Sequence, residues 1–150
     1  MKPSFALLFT AILFASCGTN TGKNAPLPLA GTWQLISATS TERDSTYSTF
    51  NPGNRMIKII NETHFAFFNH DLRQGKDSTA FFTAGGGTYT LADSVYTEHL
   101  QYFIDREWED HKFEFVVGIR NDTLTQRGLE KLEKPGIDRV IVEKYVRVKR

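Results

Sequence analysis

The sequence predicts an all-β domain, an eight-stranded up-and-down antiparallel barrel over residues 30–150. Three observations predict it. From Ala30 onward apolar residues recur with period two, and no long stretch has a 3.6-residue apolar period. The apolar runs are short and follow one another along the chain. Several are joined by two-residue turn signals such as Asp93–Ser94 and Asn121–Asp122. Closing such a meander removes its exposed edges. A two-sheet sandwich is the competing architecture.

The elements are taken in chain order. Residues 1–16 read as a signal segment. Lys2 is their only cation, and Phe5–Phe14 is apolar except for Thr10, a run too short to span a bilayer as a stable helix. Small residues Ala15 and Ser16 precede Cys17, the only cysteine. This stretch resembles a bacterial lipoprotein signal, in which the chain is cut before the cysteine and its thiol is acylated. Phe14 stands where such signals usually carry leucine. The alternative is an incidental thiol in a signal cut elsewhere. Residues 17–29 then form the lipidated cysteine and a small, polar, proline-bearing tether. The expected place is the bacterial cell envelope, with the membrane reached through Cys17.

Eight β-runs follow: Ala30–Ala38, Arg55–Ile60, His64–Asn69, Ala80–Leu91, Val95–Phe103, Lys112–Ile119, Thr123–Arg127 and Arg139–Lys149. The fourth is interrupted by Gly85–Gly87, which mark a bulge, a bend or a close backbone approach. Ser40–Asn54 is a polar connection. Leu129–Gly136 can hold one helical turn before Pro135 and Gly136 stop it.

Hairpin register assigns the faces, because a slip of one residue inverts every side chain. With Asn121–Asp122 as a two-residue loop, Phe113, Phe115, Val117, Ile119, Leu124 and Gln126 share one face. Val116 is then the apolar exception on the other. With Asp93–Ser94 as a two-residue loop, Tyr89, Leu91, Tyr96, Glu98, Leu100 and Tyr102 share the more apolar face, which we take as interior. A three-residue loop would place His99 there instead. A carboxylate among aromatics needs a partner, since an unpaired buried charge costs several kcal/mol. Tyrosine hydroxyls, Lys144 or Arg147 are candidates.

Gly31-Thr32-Trp33 on the first strand resembles the G-x-W opening of lipocalins and related barrels. In those families a late Arg or Lys packs on the tryptophan at the closed end. The resemblance therefore implies structural closure by Gly31, Trp33 and Arg147. The segments "THFAFF", "GGGTYTL" and "YTEHLQYF" further resemble an uncharacterised family of lipocalin-like, calycin-type bacterial lipoproteins. The chain has no long C-terminal helix of the secreted lipocalin kind.

Other chemistries find little footing. Without residues 1–16, 17 basic residues face 17 acidic ones, and no basic stripe runs beyond "YVRVKR", so nucleic acid is not expected as a partner. His64 and His70 share a strand face but stand about 20 Å apart, too far for one metal. "REWEDH" lacks the spacing of an EF-hand and reads as a solvated turn. "GGG" is followed by no Lys-Ser/Thr and no helix, so it is no phosphate loop. No metal site and no cofactor are implied.

The leading reading is a lipid-anchored, monomeric, non-enzymatic barrel that takes a small apolar or amphipathic molecule inside. Trp33, Phe65, Phe67, Tyr89, Tyr96, Glu98 and Phe115 are the candidate ligand-binding residues. A second reading is a barrel enzyme, with a tyrosine orienting substrate and Glu98 moving a proton. A third is an interaction protein with a filled barrel.

Overall fold

A computed structural model describes residues 28–149; Cys17, the signal segment and the tether through residue 27 lie outside the described residues. Among the described residues nine strands run in chain order: β1 (Gly31–Glu42), β2 (Ser45–Ser48), β3 (Asn54–Ile60), β4 (His64–Asp71), β5 (Phe82–Ala92), β6 (Val95–Phe103), β7 (His111–Arg120), β8 (Thr123–Leu132) and β9 (Ile137–Arg147). Every pairing is antiparallel, and β1 pairs with β9, so β1 and β3–β9 close into an eight-stranded barrel. The short β2 lies outside that ring and pairs only with the far half of β1. The polar connection after Ala38 is thus a hairpin, with β1 running four residues longer than its apolar alternation shows.

The two diagnostic hairpins have the expected two-residue loops. Arg120 pairs with Thr123, and Asn121 and Asp122 both take positive φ, as a type I′ turn requires. Ala92 pairs with Val95, so Glu98 lies between Tyr89 and Phe113 on the inward face. Val116 points outward and is exposed.

Two expectations need correction. Tyr102 does not share the inner face of β6. Gly87 pairs with Leu100 but Gly86 pairs with Tyr102, so Gln101 is an extra residue and the alternation inverts. Tyr102 turns out, 68% exposed, while Phe103 turns in and packs 5.7 Å from the Phe67 ring. Glycine is needed at this bulge because a Cβ on Gly87 would overlap the His99 carbonyl oxygen. Second, Leu129–Gly136 holds no helical turn. β8 continues to Leu132 and pairs residue by residue with β9, and Pro135 and Gly136 belong to the connecting turn. Its Leu/Glu spacing suits a strand equally, with Glu130 and Leu132 on the inner face. The "REWEDH" stretch is a turn, as expected, and its acids bond locally. Asp105 accepts from the Glu107 N–H within a short 3-10 turn (Arg106–Trp108), and Glu109 accepts from the Phe103 N–H.

One end of the barrel is sealed. Trp33 is completely buried, and its indole N–H donates to the Leu29 carbonyl at 2.8 Å. The Arg147 guanidinium lies 4.0 Å above the indole ring and donates to the carbonyls of Ala30 and Pro28. Gly31 has φ +147°, and a Cβ there would strike the same guanidinium. The first and last strands are therefore locked together by one stacked pair at the end where β1 begins and β9 finishes.

Candidate functional site: a cavity toward the open end

The opposite end is where β6 and β8 finish and β7 and β9 begin. There the barrel holds a cavity of about 190 Å³. Phe67 on β4, Leu100 and Phe103 on β6, and Phe113 and Phe115 on β7 wall it. Trp108, from the 3-10 turn between β6 and β7, packs edge-on against Phe103 at 6.3 Å and tilted against Phe113 at 5.7 Å. Three charged side chains complete the lining: Glu98, Glu130 and Arg139. Arg139 donates from Nε to Glu130 at 2.7 Å and lies 5.6 Å from the centre of the Trp108 ring. Burial pushes the Glu130 carboxyl above its ordinary range, and the neighbouring Arg139 charge opposes that push.

Glu98 is buried at 7% exposure, and its cation is Lys58, not Lys144 or Arg147. Lys144 faces outward by the alternation of β9, and Arg147 is spent on Trp33. Lys58 sits on β3 opposite Trp33 and Phe67, which fixes it on the inner face. Its ammonium donates to Glu98 Oε1 at 2.8 Å and to Gln126 Oε1 at 3.1 Å. It also lies 5.7 Å from the Phe65 ring centre and 5.5 Å from that of Tyr145. This arrangement satisfies the condition for a buried charge: one partner of opposite sign and further polar contacts. The aromatic faces add attraction for the ammonium.

The candidate residues separate along the barrel axis. Phe67, Glu98 and Phe115 line the cavity. Phe65 and Tyr96 are core residues, nearly without exposure. Tyr89 packs 5.1 Å from Tyr96 and donates its hydroxyl to the Asn61 carbonyl in the β3–β4 turn. Trp33 belongs to the sealed end alone. The Tyr96 hydroxyl is buried with no hydrogen-bond partner among the described residues, and burial, with the Glu98 charge nearby, holds its pKa far above the tyrosine norm. Tyr145 is raised in the same direction by burial, and it donates to Glu143 at 2.7 Å.

Lys58, Arg139 and Trp108 are functional candidates that periodicity did not single out. In "RMIKII" each strand face carries one cation and two apolar residues, so alternation does not choose between them. On β9 the outward face carries Val140, Val142 and Val146, while the inward face carries Arg139, Glu143 and Arg147. The inward face also carries Ile137, Ile141 and Tyr145, so each face holds three apolar residues and alternation does not choose between them.

The fold and the site together define a small closed β-barrel, sealed at one end by a tryptophan–arginine stack, with a mixed aromatic and charged cavity toward the other. Residues 28–150 match the family described as "Domain of unknown function (DUF4488)", and the chain belongs to that family. No curated protein matches the chain.

Proposed function

We propose that this is a lipid-anchored, lipocalin-like barrel of the bacterial cell envelope that binds a small, largely apolar molecule in its cavity. The observation that carries the reading is the 190 Å³ aromatic cavity with a few fixed polar groups, the usual make-up of a small-molecule site. The seal of Gly31, Trp33 and Arg147 supports kinship with lipocalin-like barrels, because it closes one end and leaves the cavity at the other. The sequence around Cys17 supports the anchor. The described chain begins with Pro28 and Leu29 at the sealed end.

Binding is favoured over acid–base catalysis by the state of the two candidate groups. Glu98 is committed to Lys58, and the Tyr96 hydroxyl keeps its proton throughout the physiological range. A tyrosine that stays protonated does not serve as the base, and the Glu98 carboxylate already holds a cation.

Toluene is a fair probe, since apolar cavities of about 150 Å³ take up benzene. Adding it to the protein should shift the Trp108 indole N–H resonance and leave that of Trp33, at the sealed end, in place. Equal movement of both, or of neither at millimolar toluene, would contradict a selective cavity.

A further inference from the structure

We infer that the cavity is shaped for a small aromatic acid, with its carboxylate on Arg139 and a hydroxyl or amino group at the far side of the ring donating to Glu98. The inference rests on the reading of the cavity as a binding site and adds the chemistry of the ligand. Three features carry it.

Arg139 is only partly used. Its Nε donates to Glu130, and among the described residues neither terminal nitrogen has a hydrogen-bond partner. The guanidinium is held in place by that ion pair and by Trp108, 5.6 Å away. A guanidinium edge with free N–H groups matches a carboxylate better than any neutral acceptor.

Glu98 is half used in the same way. Oε1 takes the Lys58 ammonium; Oε2 makes no well-formed hydrogen bond among the described residues, although the Tyr96 hydroxyl stands near the carboxylate, and the residue lines the cavity. An ionised carboxylate only accepts hydrogen bonds, so whatever meets Oε2 must bring a donor. Arg139 stands at the third pair from the β8–β9 turn, and Glu98 lies deeper, one inward step beyond Leu100. The ligand therefore needs an acceptor of negative charge at its outer end and a donor at its inner end.

The space between them suits a ring. Phe67, Phe103, Trp108 and Phe113 meet in tilted and edge-on pairs around it, the geometry that accommodates another aromatic face. A volume of 190 Å³ takes a substituted benzene.

Calorimetric titration with 4-hydroxybenzoate, p-cresol, benzoate and 4-hydroxybenzylamine tests this. 4-Hydroxybenzoate should bind at least about tenfold more tightly than p-cresol, which lacks the acid, and than benzoate, which lacks the donor. The amine should bind weakest. Arg139→Gln should remove roughly that tenfold advantage of the acid over p-cresol. The double variant Arg139→Gln/Glu130→Gln, which removes both members of that ion pair, should behave alike and covers the case in which the single variant does not fold. Tighter binding of p-cresol or of the amine, or an acid preference that survives both variants, overturns the inference. If p-cresol binds and the acid does not, the cavity is a binding site of another chemistry. If none of the four binds, the binding reading fails as well.

Discussion

Trp33→Ala should destabilise the domain by about 3–5 kcal/mol, the range for deleting a large buried aromatic. The indole is fully buried, holds the Leu29 carbonyl through its N–H and is the platform on which Arg147 stacks. Alanine would leave a void at the sealed end and take away the surface that fixes the guanidinium. Arg147 in turn ties down Ala30 and Pro28, so the start of β1 would loosen along with the end of β9. Since β1–β9 pairing is what closes the ring, the loss falls on the whole barrel and not on one strand end. Urea unfolding of wild type and mutant measures it. A mutant that unfolds within about 1 kcal/mol of wild type, the ordinary size for a peripheral site, would mean that closure does not depend on this pair.

Lys58→Met should cost a similar amount, about 3–5 kcal/mol, for a different reason. Methionine fills the space and keeps the contacts with Phe65 and Tyr145. What it removes is the charge that holds Glu98 and Gln126. Glu98 is then a carboxylate inside the barrel with no cation against it. It must take up a proton, draw water inward or push the strands apart. The second substitution decides the cause: Lys58→Met/Glu98→Leu removes both charges and should recover most of the loss, as apolar replacement of a buried pair often does. Equal losses in the single and double mutants would place the effect in packing and not in the ion pair.

Most of the fold was legible in the sequence because hairpin turns leave local marks. Asn121–Asp122 and Asp93–Ser94 fixed two registers, and from those the inward placement of Glu98, Phe113 and Phe115 followed. The Gly31–Trp33 opening pointed to the seal with Arg147. What escaped notice has no local mark. The bulge at Gly86–Gly87 inverts β6 after Leu100, and three consecutive glycines do not say which pair takes up the extra residue. The second half of β8 looked helical because "LEKLEK" suits either period; its pairing with β9 decides. Lys58 and Arg139 were missed because both sit on the inner face of strands whose composition does not favour that face. Their partners, Glu98 and Glu130, are 40 and 9 residues away. A buried cation is recognisable only together with its anion, and sequence alternation treats each strand separately.

The function proposed for this protein is that of a lipid-anchored barrel that carries a small molecule. Native mass spectrometry of the protein purified from its own host tests both halves at once. The expected result is a chain beginning at Cys17 with the added mass of acyl groups, and a further small mass that leaves on gentle activation and is absent after unfolding. A chain without acyl mass at Cys17 would contradict the anchor, and a fully folded protein that never carries a releasable small molecule would contradict the carrier.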